Sequence, residues 1–456
     1  MLCNLVIKKF FTYPVFLVLF LSFIGSILFG YSVKYYTGGG KRILYLRDIV
    51  FFIAEIPKPI INMIESKSLN PNKPPILRKH KDKKRFEQFL DNKRNVLLVL
   101  PRYDHGLSRS VVDIIDLNNF KTIHTYKHDI YEMNNQVANT EEFSRINIDD
   151  KPIRFEYRHP LILSDGSLIS DSEFSPEFKI DFCSNLIWIN DEEIFHHSKM
   201  LDHDGNVWIS GQKNPKSKYV KKYSIEDQFF MDDSIIKINT DGKILYSKSI
   251  IEILIENDIV FEDFALNSYL LGSFDPIHLN DIEPAFSNTE YWKKGDLFIS
   301  IRHQSAIIHY RPSTNKVINY ITGPFAQQHD VDIISNKEIS IFNNNNFLSN
   351  NEYSEVLIYN LETKTFRKLF NNQLQKENFK TITQGLSQML KDGSLMVEEQ
   401  NHGRIILFNS KGEKEWEYVN KSNKGHIGFI SWSRIIENEI FIEKFKSLVK
   451  NKICLN

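Results

Sequence analysis

The chain has 456 residues, with 57 lysines plus arginines against 57 aspartates plus glutamates, so its formal net charge is zero. That length supports one large or two medium domains with a substantial core, and the charge balance excludes a bulk electrostatic field for nucleic acid. Three cysteines, Cys3, Cys183 and Cys454, offer no pair with metal-ligand spacing. They are expected to be isolated thiols, with Cys183 and Cys454 the one pair that could bridge, because Cys3 precedes a hydrophobic segment.

That segment, residues 10–33, carries no charge and is dominated by Phe, Leu, Val and Ile. At about 1.5 Å per residue it is long enough to span a bilayer core. Lys8 and Lys9 precede it, and no clean small-residue cleavage pattern follows. The expectation for residues 1–34 is therefore an uncleaved signal anchor, a transmembrane helix holding the following domain on the periplasmic side of the membrane. Lys34, Lys41, Arg42 and Arg47 lie beyond it, so the orientation rule is divided.

Residues 35–94 are expected to be a juxtamembrane segment and basic linker. Residues 43–64 are apolar but broken by Arg47, Asp48, Glu55 and Pro57. Either an interfacial helix or a helix packed on the domain suits them. The run Arg78-Lys-His-Lys-Asp-Lys-Lys-Arg85 is expected to be solvated, with lipid headgroups as the alternative contact.

From residue 95 the periodicity becomes short and strand-like. A polar turn followed by a β-rich strand recurs as Asp165-Gly-Ser-Leu-Ile-Ser170, Asp204-Gly-Asn-Val-Trp-Ile-Ser210, Gly295-Asp-Leu-Phe-Ile-Ser300, Asn336-Lys-Glu-Ile-Ser-Ile341 and Asp392-Gly-Ser-Leu-Met-Val397. A strand–turn–strand unit alternates with it, as in Ile307-Ile-His-Tyr-Arg-Pro-Ser-Thr-Asn-Lys-Val317. The pairs fall near 95–127, 158–190, 197–249, 278–322, 329–370 and 384–418. Antiparallel four-stranded units repeated in this way are blades of a β-propeller, here six over residues 95–436. The fold class is thus all-β, with the amino-terminal transmembrane helix and a short helix within 437–456. That helix should turn Ile440, Phe441, Phe445, Leu448 and Val449 to one face.

The repeat gives the histidines a common place. His159, His197, His278 and His329 each begin the first strand of a blade, from the second to the fifth. The first strand of a blade usually lines the central channel, so these four should ring one funnel. Between His278-Leu-Asn280 and Ser300-Ile-Arg-His-Gln304 lies one hairpin, which brings His278, Asn280 and Arg302 to one side of a sheet. Asp281, Asp330 and Asp332 are close by in sequence but need not face the channel. Three histidines could bind zinc, yet Arg302 beside them opposes a cation. Imidazole, carboxamide and guanidinium donors suit a tetrahedral oxyanion such as sulfate or phosphate.

The set His278-Leu-Asn280, Ser300-Ile-Arg-His-Gln304 and Gln328-His329, with His196-His197 and Asp204-Gly-Asn, resembles the bacterial arylsulfotransferase family over roughly residues 95–436. That resemblance implies transfer of a sulfuryl group from a phenolic sulfate ester to a phenolic acceptor, with no nucleotide donor, no metal and no other cofactor. It makes His329 the nucleophile that becomes a sulfohistidine. His278, Asn280 and Arg302 would hold the sulfuryl oxygens, and His197 would assist binding or proton transfer. The Asp-Val-Asp after His329 departs from the family's pattern, as does the apparent anchor. Two readings compete with transfer: an aryl sulfate hydrolase on the same scaffold, and a membrane-anchored propeller that binds without catalysis. Metal-dependent lactonases on six-bladed propellers lean on acidic channel ligands, whereas histidines stand out here.

Overall fold

The computed structural model describes residues 17–32, 79–91, 93–138, 151–173, 175–223, 229–259, 273–345 and 353–454. The chain divides into two compact units, 1–67 with 266–272, and 68–265 with 273–456. The described part of the first is helix 17–32, whose Leu17, Leu19, Leu21, Phe23 and Leu28 are exposed. Among the described residues no helix is long and apolar enough to cross a membrane. Both ends of the expected span 10–33, the apolar segment 43–64 and Arg78 lie outside the described residues.

The second unit is an all-β propeller arrangement. Leu279–Pro284, Leu297–Ile301, Ala306–Arg311 and Lys316–Thr322 pair in sequence order as one antiparallel sheet, and Asp330–Ile333, Glu338–Asn343, Glu355–Asn360 and Thr365–Leu369 as the next. Leu386–Met389, Leu395–Glu399, Arg404–Phe408 and Lys414–Val419 form a third, with Phe86–Gln88 added at its outer edge. The turns that begin the second strands are those of the repeat. In the Asp-Gly turns, Gly166 and Gly205 have φ of +82° and +78°, a left-handed backbone that costs glycine nothing. Ile282, Ile299 and Ile308 pack with Ile235 of the preceding sheet and with Ile250 of the helix that follows it, so neighbouring sheets share a core.

Two features differ from the expected array of six separate blades. Among the described residues four sheets have blade form, not six. The residues expected to make the second and third blades lie in one seven-stranded sheet. Its long strand Leu186–Leu201 pairs first with Ser175–Ile180 and then, from Ile194 onward, with Val207–Gln212. No glycine or proline interrupts that strand, so the chain passes from one pairing to the next without a turn. The second difference concerns the unit near 95–127. It supplies three strands, Leu97–Asp104, Arg109–Asp116 and Lys121–Tyr126. Its inner strand is Arg434–Ile436, from the other end of the sequence.

The carboxy-terminal helix is Glu439–Asn451, capped by Asn438, whose side chain accepts from the Phe441 N–H. Its buried residues are Ile442 and Phe445, against Phe155, Phe178 and Phe182. Ile440 is 80% exposed, so it is off the expected apolar face. The stripe set by 441, 442, 445, 448 and 449 follows the 3.6-residue period and leaves position 440 outside. Docking of this helix on Phe182 brings Cys454 to Cys183, and the two form a disulfide with Cα atoms 5.3 Å apart. The expectation of isolated thiols is thereby overturned. So is that of a solvated basic run. Lys79 pairs with Glu399, His80 Nε2 lies 2.8 Å from the same carboxylate, and Lys83 Nζ lies 2.6 Å from Glu417.

Candidate active site

At or just before each innermost strand one residue takes a left-handed backbone: His159, His197, His278, Gln327, Gln384 and Trp432, with φ between +38° and +62°. None is glycine, and such residues cost on the order of 1–3 kcal/mol each unless the surroundings over-determine them. Register shifts flank three of these places, between Arg158 and Leu161, Phe195 and Lys199, and Leu279 and Asp281. A bulge re-aims the side chain it carries. His159, His197 and His278 therefore share one phase. His329 does not; it lies two residues past Gln327, in the position that Asn280 holds past His278.

The hairpin works as its spacing suggests. The Arg302 N–H donates to the His278 carbonyl at 3.0 Å and the His303 N–H to that of Ile277 at 3.0 Å. The His197 ring lies 5.3 Å from His278 and 6.5 Å from His329, centroid to centroid. His278, His197 and His329 thus converge, and His303 stands 4.6 Å from His278. His159 is drawn elsewhere: its ring packs on Trp432 at 5.2 Å and its Nδ1 accepts weakly from the Lys199 N–H at 3.4 Å.

Asp275 organises this corner. Its carboxylate takes the backbone N–H of His278 at 2.9 Å and meets His278 Nδ1 at 2.5 Å, while its carbonyl meets His303 Nδ1 at 2.5 Å. His303 Nε2 is then left as an acceptor for Arg302 Nη1, at 2.7 Å. Arg302 Nη2 donates to Gln327 Oε1 at 3.0 Å, and its Nε is buried with no hydrogen-bond partner among the described residues. Asn280 is fully buried. One Nδ2 hydrogen goes to the Gln328 carbonyl at 3.0 Å, and Oδ1 has no partner among the described residues.

His329 is gripped from both sides. Its Nδ1 lies 2.6 Å from Asn344 Oδ1, and its Nε2 accepts the backbone N–H of Gln384 at 2.8 Å. Burial, then the charge of Arg302, holds the His278 imidazole down at about 3. The same two causes, in the same order, hold His329 well below its ordinary value. Burial and then His196 do so for His197. All three are neutral near pH 7. Burial draws Arg302 down to about 10, so it stays charged. The corner thus holds one guanidinium among neutral imidazoles, with the Asp275 carboxylate bonded to His278. Asp275, His278 and His303 could in principle gather round a cation. Three of their four ring nitrogens are already committed to Asp275 and Arg302, and Arg302 repels a cation, so the donor set suits an anion.

Further along the same inner strands the chemistry reverses. Asp281, Glu283, Asp330 and Asp332 line a cavity of about 280 Å³ with His159, Arg434 and Phe441. The sequence left open whether Asp281, Asp330 and Asp332 face the channel, and all three line this cavity. Asp281 and Asp330 also tie neighbouring sheets, accepting the N–H groups of Val331 at 2.9 Å and Ser387 at 3.0 Å.

The sequence model of the arylsulfotransferase (ASST) family matches residues 159–421, well over half of the chain. The chain belongs to the arylsulfotransferase family. No curated protein matches it. Among solved structures it is similar to a protein of unknown function from Bacteroides caccae, at 13% identity and a TM-score of 0.46, over 75% of this chain and 100% of that one. It is also similar to a catalytically inactive virginiamycin B lyase from Staphylococcus aureus, at 10% identity and a TM-score of 0.38, over 73% and 87% of the two chains.

This arylsulfotransferase-family site contains groups that the sequence did not single out. His303 sits inside a quoted stretch and Asp275 three residues before His278, so their spacing was visible and their partnership was not. Gln327, Gln384 and Trp432 share a backbone phase with three histidines, a sign that only dihedral angles reveal. Asn344 lies in a run of four asparagines and carried no signal at all.

Proposed function

We propose that this protein transfers a sulfuryl group from a phenolic sulfate ester to a phenolic acceptor, through a sulfohistidine on His329. The observation that carries this reading is Arg302, a cation whose side-chain hydrogen bonds go to a neutral imidazole and a carboxamide oxygen. Among the described residues no carboxylate forms an ion pair with it. An anion with planar oxygens is the complement of such a fork. A second Nδ2 hydrogen of Asn280 adds a further donor. His278, oriented by Asp275, can take a proton once an anion arrives, since nearby negative charge favours the imidazolium.

In the first half-reaction the sulfur–oxygen bond to the donor phenol breaks, and its electron pair stays on the phenol oxygen. The His329 Nε2 pair forms a nitrogen–sulfur bond, with Arg302, Asn280 and His278 on the sulfuryl oxygens. In the second, the acceptor's oxygen attacks sulfur and the pair returns to Nε2. The acceptor proton goes to the phenolate released earlier or to water, with His197 beside the path. We count the seven-stranded sheet as two blades fused through Leu186–Leu201, which gives the propeller six.

We also propose that residues 10–33 anchor the chain in the membrane with the propeller outside the cytoplasm. The Cys183–Cys454 bridge supports an oxidising compartment, and the exposed apolar side chains of helix 17–32 are what lipid would cover. Protease added to spheroplasts should digest the propeller; full protection would reverse the topology.

Incubation with 4-nitrophenyl sulfate tests the activity. Release of 4-nitrophenol that rises on adding phenol, with aryl sulfate formed, is expected. Release independent of phenol would make the protein a hydrolase. A second reading, binding without transfer, is favoured by the Gln384 N–H on the Nε2 lone pair; tight sulfate ester binding with no release would establish it.

A further inference from the structure

The tautomer of His329 follows from the groups around Asn344. The Asn344 Nδ2 donates to two carbonyls, those of Thr381 at 3.0 Å and Gln384 at 2.8 Å. A carboxamide oxygen could not occupy that place, so the side chain's orientation is fixed and Oδ1 must face His329 Nδ1. An acceptor there requires the proton on Nδ1. The backbone N–H of Gln384 points at Nε2, and a donor there requires a lone pair. Two independent partners therefore select the same tautomer.

One residue serves both sides. Asn344 accepts from Nδ1, and its Nδ2 holds the carbonyl of Gln384, in the peptide next to the one whose N–H meets Nε2. That peptide is part of a braced turn. Gln384 has a left-handed backbone with φ of +62°, and Gly385 follows at +91°. The Gly385 N–H donates to Gln400 Oε1 at 3.1 Å, and Asn401 Oδ1 takes the N–H groups of Ile382 and Thr383. Asn344 itself follows Asn343, whose Oδ1 holds the N–H groups of Ala326 and Asn345. The acceptor and the peptide are both held by the frame rather than by His329.

We propose that Asn344 is a positioning residue for transfer: it fixes the proton of His329 on Nδ1 and so makes Nε2 the atom that carries the sulfuryl group. This deepens the reading of His329 as nucleophile and rests on it. When Nε2 bonds to sulfur, Nδ1 keeps its proton. The ring then bears a positive charge that the attached sulfonate balances, and the Nδ1–H to Oδ1 bond strengthens as that charge grows. The Gln384 N–H gives up the lone pair it held and becomes a donor for a sulfuryl oxygen. No proton leaves the ring in either half-reaction, so transfer at Nε2 needs no general base for His329.

Two measurements test this. In full-length protein carrying 15N-histidine, the ring nitrogen shifts of His329 are expected to show a neutral imidazole protonated at Nδ1. An Nε2–H tautomer overturns the inference whatever the activity. In the second, Asn344→Ala and Asn344→Asp are compared with wild type, with a thermal melt confirming that each variant folds. Asn344→Ala should lower kcat at least about tenfold with little change in KM, because a ring free to choose its tautomer is often wrongly protonated. Asn344→Asp restores an acceptor and adds a charge but sets its second oxygen against the Thr381 and Gln384 carbonyls, so it should recover only part of kcat and move the acid limb of the pH profile to higher pH. The other charged or titratable groups facing His329 are Arg302, His278 and His197, and they are unchanged in both variants. Wild-type kcat and pH profile in both variants would overturn the role of Asn344. In the trapped wild-type enzyme a sulfuryl group on Nδ1 of His329 overturns this inference alone; one on another histidine, or none, overturns the proposed function with it.

Discussion

Arg302 and Arg434 stand in two neighbourhoods of the same inner strands. Arg302 has neutral partners, His303 and Gln327, and the histidines about it are kept neutral by burial. Arg434 donates to the carbonyls of His159 at 3.1 Å and Lys199 at 3.0 Å, in the field of Asp281, Glu283 and Asp332. Burial draws each guanidinium down to about 10. The difference is compensation. Arg434 lies in the field of three acidic groups and Arg302 in that of one, Asp275, whose carboxylate is already bonded to His278, so the first is a structural group and the second is the better suited to receive an anion.

The largest effect should come from breaking that difference. Arg302→Met is expected to cost about 10²–10³ in turnover, the size found on removing a donor aimed at developing charge. It should change the melting temperature little, since the loss of a donor to His303 and Gln327 is offset by relief of the burial of a guanidinium that forms no ion pair among the described residues. Arg434→Met should do the reverse. Two carbonyls lose their donor, which costs roughly 1–3 kcal/mol of stability. Its turnover, per folded molecule, should stay near wild type. Steady-state assays and thermal melts on the two variants decide; a catalytic collapse in Arg434→Met with normal stability would end the distinction.

The bridge between Cys183 and Cys454 bears on the carboxylate neighbourhood only. Phe441, at the start of the helix that leads to Cys454, lines the acidic cavity. The bridge spans a sequence separation of 271 residues, and closing so long a loop contributes up to about 5 kcal/mol by chain entropy, less any structure the reduced chain retains. Cys454→Ser should therefore lower the melting temperature by several degrees, and the same shift should follow reduction of the wild type. Turnover of the folded fraction should be unaffected. Equal melting with and without reductant would mean that the bridge contributes nothing.

Much of this was legible in the sequence, and the reasons are physical. Alternating strands and Asp-Gly turns are local signals, so the propeller class and the hairpin carrying His278, Asn280 and Arg302 could be read directly. What escaped reading depends on contacts distant in sequence. The inner strand Arg434–Ile436 pairs with Leu97–Val99 across more than three hundred residues, and no turn announces it. Leu186–Leu201 has no breaker to mark where one pairing ends. The Asn344 and Gln384 contacts to His329 need backbone carbonyls whose positions only the folded chain defines. His329 stands at the expected end of the expected strand but not in the phase of the other histidines, because residue spacing cannot show which position turns left-handed.

The two neighbourhoods should also respond to pH in opposite directions. The buried histidines have folded values below the ordinary 6.5, about 3 for His278 and His303. The unfolded chain binds more protons below pH 6.5, so this contribution to stability is present above 6.5 and is lost as pH falls. The carboxylates are raised, Asp281 to about 6 and Asp332 to about 8, chiefly by burial. There the folded chain binds more protons, so stability is present at low pH and is lost as pH rises through those values. The two trends oppose each other between about pH 4 and 6.5, and above 6.5 only the carboxylate trend remains. Melting temperature should fall from pH 6.5 to 8, and Asp332→Asn should flatten that fall. An unchanged slope in the variant would remove Asp332 from the account.

The smallest effect should come from His159, and it sharpens the boundary between the neighbourhoods. Its sequence spacing groups it with His197 and His278, and its left-handed backbone does the same. Its side chain does not: the ring lies against Trp432 and lines the cavity that holds the carboxylates. His197 also approaches Trp432, at 6.3 Å, so the indole stands between the two histidines' surroundings. A test of His159 must leave the backbone alone. Asparagine tolerates a left-handed conformation better than other non-glycine residues, so His159→Asn changes the ring and little else. The ring's contacts are with Trp432 and Lys199 rather than with Arg302, Asn280 or His329. Turnover should therefore remain within about threefold of wild type, well short of the loss expected for a group on the sulfuryl oxygens. Loss of the ring's packing on Trp432 should lower the melting temperature slightly. A hundredfold fall in kcat with an unchanged melt would place His159 among the groups that act on the substrate, and the division of the channel would have to be redrawn around it.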